Sequence, residues 1–83
     1  MSMDVNTIIA EIKKFIETNI LATDIKIDAG TNLQQAGIDS FSIVEIILFI
    51  ERRFGVVITD EKLVPENFKT LNALAATVEE LIK

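Results

Sequence analysis

Apolar residues return every three or four positions in three separate stretches of this chain, and that period admits helices and little else. Val5, Ile8, Ile9, Ile12, Phe15 and Ile16 form the first set, with Asp4 placed as an N-cap. They predict a helix from about residue 4 to about residue 20. A second helix is expected from about residue 40 to about 54. A third, from about 71 to 82, shows Leu71, Leu74, Ala75, Val78, Leu81 and Ile82 on one face, with Thr70 as candidate cap. Pro65 suits the first turn of a helix, so "PENF" reads as one to two further turns. The stretch "GVVIT" has strand propensity but no partner strand, and reads as loop. The long connection "LATDIKIDAGTNLQQAGID" carries Ile25, Ile27 and Leu33, which are expected to pin it over the core. The expected fold is all-α: one domain over residues 1–83, a small bundle of three main helices and a short one.

The second helix has two apolar stripes rather than one. At about 100° per residue, Ile43, Ile46, Ile47, Ile50 and Phe54 share one arc. Phe41, Val44, Glu45, Leu48 and Arg52 share another, roughly opposite. A chain of 83 residues has one modest core and cannot easily bury both. The second stripe, edged by Glu45, Glu51 and Arg52, therefore reads as a surface for a partner. The bland alternative packs it beneath the long loop.

Composition closes off whole classes of function. The chain has no cysteine and no histidine, so it lacks thiolate metal ligands, disulfides and the commonest general base. No metal site and no catalytic residue is expected. Eight basic residues against thirteen acidic ones give a net charge of −5, which disfavours nucleic acid and anionic lipid. No apolar run is long enough to span a bilayer, and the N-terminus lacks a basic, signal-like segment. The expectation is a soluble, cytoplasmic, monomeric protein.

Within "GIDSFS", Ser40 stands at the start of the two-striped helix. Capping is the commoner use of a serine there, although Asp39 and Ser42 compete for that position and Ser42 with Glu45 matches a capping box. A serine nucleophile needs an adjacent base, and no lysine is near in sequence. The hydroxyl is thus either a cap or a target for another enzyme. In the first case the chain is a non-enzymatic helical interaction module.

The stretch "GIDSFSIVEIILFIERRFGVVITDE" resembles the phosphopantetheine attachment region of the acyl carrier protein family. Gly37, Asp39 and Ser40 match its pattern, with Phe41 where leucine is commoner. Glu45, Glu51, Phe54 and Gly55 follow in register, and Ile58 and "ENFKTLNALAATVEEL" resemble its later helices. The resemblance spans essentially the whole chain. It implies an acyl-carrier-like four-helix bundle with a long loop between the first two helices. It also implies a 4'-phosphopantetheine arm, taken from coenzyme A and attached to Ser40 by a phosphopantetheinyl transferase. The arm's thiol would hold acyl or aminoacyl groups as thioesters. Asp39 would assist recognition by the transferase and its metal ion. Phe41, Val44, Glu45, Leu48, Glu51 and Arg52 would meet loading ligases and downstream acyl-transfer enzymes. Two departures from the housekeeping fatty-acid carriers stand out. Glu51-Arg52-Arg53 replaces an acidic run, and "DEKLVPENFKTL" is longer than their connection. Both suggest a specialised, discrete carrier.

Overall fold

In the computed structural model, which describes residues 4–20 and 26–82, the architecture is carried by three α-helices. They are α1 (Val5–Asn19), α2 (Ser40–Phe54) and α3 (Leu71–Ile82). Two 3-10 turns, Asp60–Lys62 and Pro65–Phe68, lie between α2 and α3. No strand occurs among the described residues, and Val56–Thr59 runs as coil. Ile25 lies outside the described residues.

Each helix begins at a polar cap. The Asp4 carboxylate accepts the Asn6 N–H at 2.9 Å. The Asp39 carboxylate accepts the Ser42 N–H at 2.8 Å. Thr70 Oγ1 accepts the Ala73 N–H at 3.1 Å. These bonds occupy amide donors that the first turn of a helix cannot pair internally. α2 stops at Gly55, whose φ of 67° is the left-handed conformation that glycine adopts without a Cβ penalty. The short helix expected at Pro65 forms over those same four residues, as a 3-10 turn. Only Lys69 and Thr70 separate it from α3, so the tighter turn closes where an α-helix would have no length to propagate.

The core gathers Ile8, Ile12 and Ile16 of α1, Ile46 and Ile50 of α2, and Leu71, Leu74, Ala75 and Val78 of α3. Burying each of the large ones contributes roughly 1.5–3 kcal/mol. α1 packs chiefly on α3, and α2 lies against both. Of the core arc expected on α2, Ile46 and Ile50 are fully buried, while Ile43, Ile47 and Phe54 are half-buried at its margins. Phe49 falls between the two arcs and extends the apolar face toward α1. Its ring stacks on Phe15 at 4.3 Å and meets Phe54 edge-on at 6.4 Å. Across the same seam Arg53 holds Glu11, with Nη2 to Oε1 at 2.9 Å.

From residue 26 onward the long connection is packed. Ile27, Leu33 and Ile38 are buried in the core. The Ile27 N–H donates to the Glu17 carboxylate at 2.9 Å, tying the loop to α1. Two backbone bonds then stitch it to the start of α3 and the residues just before it: Leu33 N–H to Lys69 O at 2.8 Å, and Asn72 N–H, in the first turn of α3, to Ala29 O at 3.0 Å. Gly37, at φ 106°, turns the chain out of this packed loop toward Asp39 and α2.

Candidate modification site at Ser40

The chain reaches Ser40 through a rigid approach. Leu33 and Ile38 are buried on either side of a tight turn, closed by Ile38 N–H to Leu33 O at 3.1 Å. Asp39 then caps α2, and Ser40 is the first helical residue. The helix start therefore resolves the competition for the cap. Asp39 holds it, Ser40 does not, and the Ser42–Glu45 capping box does not form, because the Ser42 N–H is spent on Asp39. The Ser40 side chain is exposed, and among the described residues nothing hydrogen-bonds its hydroxyl.

The Asp39 carboxyl is held below the usual carboxylate range. The backbone N–H of Ser42 is the main cause, with the Ser42 hydroxyl adding to it. Asp39 is thus an anion beside the free hydroxyl at neutral pH, well placed against the positive end of the helix. Among the described residues no basic side chain is hydrogen-bonded to Ser40. Lys69 shares the groove beside Ser40, but no hydrogen bond links the two.

That groove has a volume of about 350 Å³. One wall is the start of α2, with Asp39, Ser40 and Ile43. The other is the connection before α3, with Leu63, Pro65, Phe68 and Lys69. Asn32 and Gln34 of the long loop close one end. Of these groove residues the sequence offered Asp39 and Ser40 for the site, and Ile43 and Pro65 only as helix positions. Their common location depends on the two backbone stitches, which leave no periodic trace in the sequence.

The second stripe of α2 faces solvent. Phe41 is 76% exposed, Val44 55% and Leu48 45%. Glu45 and Arg52 are exposed beside them. Glu51 differs: it is half-buried, and its carboxylate accepts the Ile58 N–H at 2.9 Å, bracing the coil after α2. Between this stripe and α1 runs a shallow groove of about 410 Å³ lined by Phe15, Glu45, Leu48, Phe49, Arg52 and Arg53. Among the described residues no helix is long and apolar enough to cross a membrane. No group of three or more metal-ligating side chains occurs among them either.

Comparison with known proteins places these features in a context. The family model described as "Phosphopantetheine attachment site" matches residues 6–78. Aminoacyl carrier protein 1 of Bradyrhizobium diazoefficiens is 33% identical over 88% of this chain and 79% of its own length. Acyl carrier protein 5, chloroplastic, of Arabidopsis thaliana is 33% identical over 76% of this chain; the match spans only 44% of that relative's length. Among solved structures, a chain in the complex of Bradyrhizobium japonicum glycine:[carrier protein] ligase with its cognate carrier protein and an analogue of glycyl adenylate superposes with a TM-score of 0.72. It is 30% identical, over 89% of this chain and 94% of that one. An acyl carrier protein of Thermotoga maritima gives a TM-score of 0.75 over 96% of this chain and 92% of its own, at 18% identity, and so shares the fold.

Proposed function

The chain belongs to the phosphopantetheine attachment-site family of carrier proteins, and on that premise we propose that Ser40 is the point at which its 4'-phosphopantetheine arm is attached. One observation carries the assignment: Asp39 does the capping, which leaves an exposed, unpaired hydroxyl on the first residue of α2. The residues fit the group. A phosphate esterified at Ser40 sits at the positive end of a 15-residue helix, and the adjoining groove offers apolar and polar lining and a lysine. In the transfer, Ser40 loses its proton and its oxygen bonds to the pantetheine-side phosphorus of coenzyme A's pyrophosphate, as the P–O bond to adenosine 3',5'-bisphosphate breaks and that nucleotide leaves. Asp39 supports this from outside the chain's own chemistry, as a fixed anion that a transferase and its metal ion recognise. The attached arm supplies a terminal thiol, on which a carried group is held as a thioester.

The carried group is, on this reading, an amino acid loaded by a ligase. The support is the likeness to an aminoacyl carrier over most of both lengths, and to a chain crystallised with a glycine:[carrier protein] ligase. The Arg52-Arg53 pair, where housekeeping carriers are acidic, points the same way. Phe41, Val44, Glu45, Leu48 and Arg52 form the surface that meets the transferase, the loading ligase and downstream acyl-transfer enzymes. Glu51 belongs to that surface through the coil it braces. The protein works in the cytoplasm as a monomer and leaves the chemistry to its partners.

Intact mass tests both levels. Incubation with coenzyme A and a broad-specificity transferase adds one phosphopantetheine to the chain. The product then gains an aminoacyl mass from an aminoacyl:carrier ligase with ATP, and no fatty acyl mass from a fatty acyl:carrier ligase. Failure of the first addition overturns the attachment site. The reverse loading preference overturns the cargo.

A further inference from the structure

We propose that Arg53, held in place by Glu11, is a docking point for a carboxylate on the loading ligase, and that the seam between α1 and α2 receives the apolar segment that carries this carboxylate. The inference rests on the partner surface assigned above and extends it from α2 onto α1. Arg53 Nε and Nη2 both donate to the Glu11 carboxylate, at 3.3 and 2.9 Å, and the guanidinium carbon lies 5.8 Å from the centre of the Phe54 ring. Two bonds and a ring fix the guanidinium, so its direction is settled before a partner arrives. Glu11 is the positioning residue in this arrangement. The Arg53 side chain nevertheless stays 45% exposed. Its remaining N–H groups, those of Nη1 included, have no acceptor among the described residues.

The surroundings of Arg53 define the segment that fits. Two shallow grooves share Phe15, Phe49 and Arg53. One, of about 410 Å³, opens on α2 with Leu48 and Arg52; the other, of about 250 Å³, opens on α1 with Lys14 and Thr18. Their shared floor is the Phe15–Phe49 stack, at 4.3 Å and half-buried. An apolar side chain resting there covers ring surface that water now reaches. The charges of the two linings are Lys14, Arg52 and Arg53 against Glu11 and Glu45. The seam is therefore locally positive on a chain of net charge −5. Lys14 and Arg52 are exposed and belong to neither ion pair of the described residues. Such a surface favours a partner that brings a carboxylate over one with a basic docking face. An arginine beside apolar contact area is also a common anchor of protein interfaces. Arg53 lies roughly 20 Å along α2 from Ser40. A ligase anchored at the seam thus leaves the start of the helix free.

The test is the KM for the arm-bearing carrier with an aminoacyl:carrier ligase that loads it. Arg53→Gln is expected to raise KM roughly five- to tenfold with kcat unchanged. Arg53→Lys, which keeps the charge but not the fork, raises it nearly as much. Glu11→Ala leaves Arg53 charged but unfixed; it raises KM on its own and adds nothing in the Arg53→Gln background. In the Glu11→Ala background, Arg53→Glu raises KM above Arg53→Gln, because a carboxylate then faces a carboxylate. Arm attachment by a broad-specificity transferase and the melting temperature at neutral pH are the controls, and both change little, as expected for an exposed pair. An unchanged KM in Arg53→Gln overturns the proposal. So does a KM rise matched by equally slower arm attachment or by a large fall in melting temperature, which marks a structural role. Additive effects of Glu11→Ala and Arg53→Gln overturn the positioning role of Glu11, and equal KM values for Arg53→Glu and Arg53→Gln overturn the carboxylate. A dimer of the carrier alone, seen by sedimentation and dissociated by Arg53→Gln, assigns the seam to contact between copies instead. A wild type that no aminoacyl ligase loads overturns the cargo reading, and this inference with it.

Discussion

Replacing Ser40 by alanine removes one side-chain oxygen that hydrogen-bonds to nothing among the described residues. The helix should therefore persist, with unchanged circular dichroism, while the mass gain on treatment with coenzyme A and transferase disappears. A gain that survives would place the arm on Ser42 or elsewhere. Asp39 behaves differently, because it has a structural duty as well. Its folded-state pKa is lowered by the Ser42 N–H and hydroxyl. Stability from it is present above the unfolded carboxylate pKa and is lost as pH falls through the folded value. Asp39→Asn should thus lower the melting temperature near neutral pH and flatten part of its decline in acid. Glu11, lowered by Arg53, keeps the remaining slope. A thermal melt series across the acidic range, wild type against variant, checks this; parallel curves would remove Asp39 from the account. The sequence left open whether Ser40 was a cap, since Asp39, Ser40 and Ser42 all have the right side chain. Only the backbone extension at Asp39 decides it.

The same limit governs the helices. Their existence and near-correct ends were legible, because the 3.6-residue period and the caps at Asp4 and Thr70 are local signals. Depth of burial was less legible. Ile50 and Phe54 share an arc on a wheel, yet Ile50 is fully buried while Phe54, at the last turn, is half open. Ile50→Ala should accordingly cost about 2–5 kcal/mol, enough to unfold much of a chain this small. Phe54→Ala should cost less, because water already reaches part of the ring. Denaturant midpoints rank the two; a larger loss at Phe54 would mean that its edge-on contact with Phe49 dominates that end of the helix. Phe49 itself was missed because its partner, Phe15, comes from a different helix, and pairing across helices leaves no period in either.

At the scale of the molecule, the exposed stripe separates folding from recognition. Phe41→Gln, Val44→Thr and Leu48→Gln should each change stability by no more than about 0.5 kcal/mol, as surface substitutions do. They should slow transfer of the arm or loading of cargo. Unfolding in Leu48→Gln would assign the stripe to the core instead. Arg52 puts a positive charge on this surface of a protein of net charge −5. Arg52→Glu should raise loading by enzymes that serve acidic carriers, relative to cognate enzymes, by removing a repulsive contact. The effect should fade with salt, since exposed charges are screened over about 10 Å at 0.1 M. Equal loading rates for both proteins with both enzymes would remove Arg52 from partner choice.

The bond from Leu33 N–H to Lys69 O has one more consequence. It makes a noose of the chain between those two residues, with all of α2 and Ser40 inside. Slackening the noose should loosen the approach to Ser40 and the far wall of its groove together. The Leu33 amide is therefore a gauge: in heavy water its rate of exchange should follow every opening of the carrier's working end.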